Sequence, residues 1–171
     1  MIITPSTTSD IPAIMDIYQQ AINYQIANGY NIWPLFDEAV INNEIREQRR
    51  WHINIDNQIA AVFAVAYIDP IIWKGHDHDP AIYLHKIATH TGFKGNNCIT
   101  RIVDWAHTHA QQKNKHFIRM DTWADNERLT NYYIAAGFKL LGKQLIPETT
   151  ALPPHYWNIY VNLFEIALHR S

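Results

Sequence analysis

One cysteine is all that the chain has, so Cys98 has no partner for an internal disulfide, and a reducing, cytoplasmic setting is expected. No apolar run approaches the ~20 residues that a membrane span needs. The opening MIITPSTTSD has neither the basic start nor the apolar core of a secretory leader, so no membrane association is expected. Excess charge is missing too. Fourteen Lys and Arg stand against 16 Asp and Glu, a formal −2, which gives no bulk attraction to nucleic acid. Any anionic ligand must then be held by local geometry. Low-complexity tracts and internal repeats are absent, and the ten histidines contain no His-Glu-x-x-His pattern. What is present suits a single domain over residues 1–171, because a 47% hydrophobic content can build a core of ordinary size.

Periodicity orders the chain. Ile2-Ile3 reads as a short strand, and Thr8, Ser9 and Asp10 offer helix caps with Pro12 in the first turn. Ile11, Ile14, Ile17, Tyr18, Ala21, Ile22 and Ile26 then fall at helical spacing, with Gly29 as the stop. An aromatic loop with Tyr30, Trp33 and Phe36 leads to a second helix from Asp37 to about Arg49. Trp51, Ile53 and Ile55 alternate with His52, Asn54 and Asp56, the pattern of a half-buried strand. After an Asp56-Asn57 turn, a longer strand covers Gln58 to Tyr67, and an irregular loop runs from Asp69-Pro70 to Pro80. Tyr160 to Ile166 reads as a closing strand. Strands with helices on both faces predict an α/β or α+β mixed sheet.

The stretch from Tyr83 to Gly142 carries the chemistry. A strand hands over to a helix at the turn Lys94-Gly95-Asn96-Asn97, and Ile99, Ile102, Val103, Ala106 and Ala110 place one helix face on the sheet. The turn thus lies at a helix N-terminus, where unpaired amides and the positive end of the macrodipole favour a pyrophosphate and Lys94 adds a full charge. On its own, a turn with one glycine is more often an ordinary strand-to-helix connection with no ligand. Downstream, Asn126 caps a short helix that ends at Gly137, and Tyr133 projects one turn before it. A phenol with a pKa near ~10 stays protonated at neutral pH and is a candidate proton donor. Tyr132 points about 100° away around the helix.

These residues resemble the acetyl-CoA site of the GNAT superfamily of N-acetyltransferases. Thr89-His90-Thr91-Gly92-Phe93-Lys94-Gly95-Asn96-Asn97-Cys98-Ile99 follows the order of that family's phosphate loop, with Lys94 for its opening arginine or glutamine. Asn97 and Ile99 stand where the family places glycine or a small residue. Asn126, Tyr133, Gly137 and Phe138 follow the family's asparagine, tyrosine and glycine-phenylalanine spacing without a gap. The resemblance implies a mixed, mostly antiparallel sheet flanked by helices on both faces. It also implies acetyl-CoA as cofactor, with Lys94, Gly95, Asn96, Asn97, Cys98, Ile99 and Thr100 around its phosphates. Ile87, Ala88 and Thr89 would offer backbone groups to the pantetheine amides, like an added strand. Asn126 would hold the cofactor arm, and Tyr133 would protonate the departing thiolate.

Tyr-Leu-His-Lys-Ile-Ala-Thr-His, from Tyr83, resembles a strand of the arylalkylamine N-acetyltransferases in which His85 matches a histidine. Alternation puts Tyr83, His85 and Ile87 on one face. With a reference pKa near ~6.5, His85 is a candidate base for the amine, or else a structural histidine. The acceptor, a small or peptide primary amine, is expected at Tyr30, Trp33 and Tyr83, flanked by Gln144 to Tyr156. A homodimer is common among proteins of this resemblance. Two rivals remain: a catalytically inactive CoA-binding or sensory protein, motivated by Asn97 and Ile99, and a metal- or partner-binding loop at His76-Asp77-His78-Asp79. That loop lacks the three or four fixed ligands that zinc needs, and no metal is expected.

Overall fold

The computed structural model describes residues 1–76, 78–149, 151–152 and 154–168. The helices and strands follow one another as β1 Ile2–Pro5, α1 Ile11–Ala27, α2 Glu38–Arg46, β2 Arg50–Ile55, β3 Gln58–Ala66, α3 Pro70–Trp73, β4 Ala81–Thr89, α4 Cys98–Gln112, β5 Phe117–Trp123, α5 Glu127–Ala135, β6 Lys139–Ile146 and β7 Ile159–Ala167. Two compact units divide them. The first comprises Met1–Val65 with Leu84–Ile102, and the second Ala66–Tyr83 with Val103–Ser171.

In the first unit the hydrogen-bonded strand order is β1-β2-β3-β4, with β1–β2 and β2–β3 antiparallel. Asp56 and Asn57, at φ 49° and 62°, close the β2–β3 hairpin in the left-handed turn that two short polar residues tolerate. Helix α1 forms where the spacing places it and buries Ile11, Ile14, Ile17, Tyr18 and Ile22. Ile26 departs from the expectation and is exposed, because it lies in the last turn of the helix. Ile41 of α2, Val62 of β3 and Ala88 of β4 complete this core.

The alternation expected in β2 also fails. His52 is buried, held by the Thr4 and Ser6 hydroxyls and by the Asn54 amide, because β2 lies between two strands and a register shift at Ile53/Asn54 turns its side chains.

In the second unit the order is β4-β5-β7-β6, parallel between β4 and β5 and antiparallel elsewhere. The fold class is therefore mixed α/β with a seven-stranded, mostly antiparallel sheet. Ile72, Trp73, Ala81, Tyr83, Ile146, Val161 and Leu163 form this unit's core. Two elements depart from the sequence reading. Asp69-Pro70 starts a one-turn helix, α3, with the Ile72 amide donating to Asp69 Oδ1 at 3.4 Å, where an irregular loop was expected. Gln144, expected beside the acceptor, lies in β6 and donates to the Ile72 carbonyl at 2.6 Å.

Arg119 is the second unit's buried cation. It donates to Glu165 at 2.8 Å, to Asp79 at 2.5 Å and to the His76 carbonyl at 2.7 Å, and its guanidinium lies over Trp73. His76 and Asp79 are thus held by an arginine. Asp77 lies outside the described residues.

Candidate acetyl-CoA site

The turn after β4 is built from its own polar groups. Gly92 N donates to His90 Nδ1 at 3.1 Å, and Thr91 N and its hydroxyl both donate to Gln20 Oε1 of α1 at 2.9 Å. Gly95 at φ 88° and Asn97 at φ 52° bring the backbone into α4, and Asn96 Nδ2 donates to the Phe93 carbonyl at 3.1 Å. Asparagine tolerates a left-handed backbone better than other residues with a side chain, which is why Asn97 serves here. The decisive side chain is Ile99. It is 4% exposed and Cys98 is 2% exposed, so both turn inward with Ile102, Val103, Ala106 and Ala110, while Lys94 to Asn97 and Thr100 remain exposed. The Ile99 side chain therefore does not cover the first-turn amides of α4, and the loop fits a phosphate group. The Lys94 ammonium sits 4.4 Å above the Tyr24 ring, a contact that keeps its charge beside the turn.

Upstream, the strand that leads to this turn is kinked. Lys86 has φ 55°, which breaks the two-residue alternation expected between His85 and Ile87. Burial, and then the Lys86 ammonium, push the His85 imidazole down to about 4. It is uncharged at pH 7, but as a base it is far weaker than the expected ring near ~6.5.

Lys86 belongs to a buried cluster that the sequence reading missed. Arg50, fully buried, donates to the Tyr18 hydroxyl and to Glu44, and Lys86 Nζ donates to Glu44 Oε1 at 2.6 Å. Burial alone would raise the Glu44 carboxyl, but Arg50 and Lys86 outweigh it and hold it below the usual range. Burial pushes the Tyr18 phenol up to about 12, against the pull of Arg50. Trp33 and Phe36 of the aromatic loop pack on the same Tyr18 ring, at 6.0 Å edge-on and 3.9 Å stacked. Tyr30 lies 6.3 Å from Tyr24.

The second unit holds the other expected residues. Asn126 caps α5 through Oδ1, which accepts from Leu129 N at 2.9 Å, and its carbonyl accepts from the Thr130 amide and hydroxyl. Gly137, at φ 102°, ends the helix where a side chain would be strained, and its amide donates to the Ile134 carbonyl. Tyr133 is 5% exposed and packs against Phe138 and Phe164 at 6.2 and 5.7 Å. Burial first, then Tyr132 and Asp121, raise its phenol well above the ordinary value, so it holds its proton throughout the physiological range.

Asp121 was not singled out from sequence. Burial first, and the Asp69 carboxylate within 4.8 Å second, push its carboxyl from 3.8 to about 7. A lone carboxylate in the apolar strand FIRMDTW was the available signal. Tyr83, expected at the acceptor, is instead 1% exposed and packs on Trp73 at 5.8 Å in the core, because the parallel ladder with β5 holds it there. It offers no exposed ring to a ligand.

The acetyltransferase (GNAT) family matches residues 13–138, a span that takes in most of α1, the kinked strand, the turn and Tyr133. The chain belongs to the acetyltransferase (GNAT) family. It is 26% identical over 146 residues to the uncharacterized N-acetyltransferase YesJ of Bacillus subtilis (strain 168), covering 81% of each chain. A GNAT-family acetyltransferase from Listeria monocytogenes 4b F2365 shares the fold with a TM-score of 0.74 at 19% identity, over 98% of this chain and 94% of that one. So does yncA from Salmonella typhimurium, solved with acetyl-CoA, at a TM-score of 0.70 and 12% identity over 99% and 95% of the two chains. This GNAT chain is accordingly an acetyltransferase dependent on acetyl-CoA. Among the described residues, no helix is long and apolar enough to cross a membrane.

Proposed function

We propose that this acetyltransferase moves acetyl from acetyl-CoA to a primary amine, small or at a peptide end, by direct attack without an acyl-enzyme. The observation that carries the reading is the inward turn of Ile99, which leaves Lys94 to Asn97 and Thr100 exposed at the N-terminus of α4, where a phosphate can be bound. With Ile99 turned inward, the reading as an inactive CoA-binding protein loses one of its two motives. Bound acetyl-CoA supplies the activated thioester. Lys94, Gly95, Asn96, Asn97, Cys98, Ile99 and Thr100 hold the pyrophosphate through backbone amides and the Lys94 charge, and Asn126 holds the cofactor arm. Ile87, Ala88 and Thr89 offer backbone groups to the pantetheine amides.

Tyr133, protonated throughout the physiological range, is the proposed proton donor to the departing thiolate. The amine must lose a proton before it attacks. Asp121 takes that proton in this reading, since burial and the Asp69 carboxylate push its carboxyl up to about 7, which makes it a better base than an ordinary carboxylate. His85, uncharged, serves only as a hydrogen-bond partner to the amine. Cys98 does not act as a nucleophile, because it is 2% exposed and burial raises its thiol. Tyr30 and Trp33 provide the aromatic side of the acceptor site, and a homodimer is the proposed assembly.

The test is turnover of an amine panel followed by CoA thiol release, after thermal melts with millimolar acetyl-CoA. Ligand at about 100 times its dissociation constant adds about 2.7 kcal/mol, a visible rise. No rise in folded protein refutes the reading.

A further inference from the structure

A lysine with left-handed backbone inside a strand is strained, and such residues persist only where their surroundings hold them. Lys86 is held on two sides. The Tyr18 hydroxyl donates to its carbonyl at 2.8 Å, and its ammonium donates to Glu44 at 2.6 Å. Both partners are fixed in turn by Arg50, which is 0% exposed and donates to the Tyr18 oxygen and to the Glu44 carboxylate. Side chains from α1, α2, β2 and β4 thus close a ring of polar contacts around one peptide group. The Tyr18 hydroxyl accepts from Arg50 and donates to Lys86, so a phenylalanine would take this donor from a partly buried carbonyl. The same ring carries the stacked Phe36 and the edge of Trp33.

We propose that Tyr18 is a positioning residue for acetyl-CoA, clamping the kink at Lys86 so that the backbone groups of Ile87, Ala88 and Thr89 point toward the pantetheine arm. The inference rests on the role given to β4 under the proposed function. A residue with positive φ rotates the peptide planes that follow it, so the N–H and C=O groups of the next three residues face a direction that an unbroken pleat would not offer. Released from the clamp, Lys86 relaxes toward ordinary strand dihedrals, and those groups turn away. The seating of Trp33 and Phe36 on Tyr18 ties the acceptor loop to the same clamp.

Calorimetric titration of the full chain with acetyl-CoA tests this, with circular dichroism to verify folding. Tyr18→Phe is expected to weaken acetyl-CoA binding about tenfold, the effect of one neutral hydrogen bond, while kcat at saturating cofactor changes less than about twofold. Adding Lys86→Asn, which adopts the left-handed backbone more readily, should restore part of that loss. A residue that only stabilised the fold would lower the melting temperature and leave the affinity of folded protein unchanged. Unchanged affinity in folded Tyr18→Phe, or a loss that Lys86→Asn does not restore, overturns the proposal.

Should Tyr18→Phe fail to fold, Lys86→Asn and Lys86→Val decide. Both remove the Glu44 pair, but valine disfavours the kink, so it should bind acetyl-CoA about tenfold more weakly than asparagine. Equal affinities overturn the proposal. Wild-type protein that is folded yet binds no acetyl-CoA refutes the proposed function itself, and the inference falls with it.

Discussion

Asp121→Asn should stabilise this enzyme while disabling it, and the size of the gain follows from the carboxyl's position. In the folded chain the Asp121 carboxyl titrates near 7 instead of 3.8, because burial and the neighbouring Asp69 oppose its charge. A folded pKa above the unfolded one means that the native state binds the extra proton between the two values. Stability therefore falls as pH rises from about 4 to about 7, and the full penalty stands above that window. A rise of about three pH units corresponds to about 4 kcal/mol at 1.36 kcal/mol per unit. Asp121 is partly exposed and solvent screens its charge, so about half of this is expected.

Asparagine keeps the shape and cannot ionise. Urea unfolding should show Asp121→Asn more stable than wild type by about 2 kcal/mol at about pH 8 and nearly equal to it at about pH 4.5. CoA release with an amine acceptor should fall about a hundredfold at pH 8, since the amide accepts no proton. An equal stability change at both pH values would refute the burial argument, and full turnover would remove Asp121 from the mechanism.

Tyr133→Phe should reduce kcat about a hundredfold with little change in acetyl-CoA affinity, read by steady-state kinetics and calorimetry; an unchanged kcat would leave Tyr133 as packing against Phe138 and Phe164. The kcat/KM profile should show no limb near pH 6.5 from His85, whose ring titrates near 4, and His85→Asn should leave the profile's shape unaltered. The depressed imidazole also predicts stability that is complete above about pH 6.5 and declines as pH falls toward 4, part of which His85→Asn should remove in acid melts. Asn97→Gly should preserve acetyl-CoA binding and raise stability by up to about 1 kcal/mol, because glycine accepts φ 52° without strain, whereas Asn97→Val should lower both. Arg119→Met should cost about 3 kcal/mol in urea unfolding, since it strips Glu165, Asp79 and the His76 carbonyl of a shared donor.

The parts of this protein governed by local rules were legible in its sequence. Helical spacing found α1 and the buried face of α4, short polar residues marked the turns at Asp56-Asn57 and Lys94 to Asn97, and Asn126 with Gly137 bounded α5 around Tyr133. Each depends on residues within a few positions of one another, where capping, periodicity and backbone preference act. Tertiary structure decided the rest.

Alternation in β4 could not foresee that Lys86 would take a left-handed backbone, because the groups that hold it there come from Tyr18 and Glu44, 68 and 42 positions away. Nothing local distinguishes Arg50 or Glu44 from surface charges, and only the closing of four elements makes them a buried pair. Tyr83 looked available for a ligand because alternation gives a face but not what covers it. Asp121 read as one acid among many until burial and the approach of Asp69 moved its proton. Long-range packing sets desolvation and charge proximity, and those two quantities turn a residue's type into its chemistry.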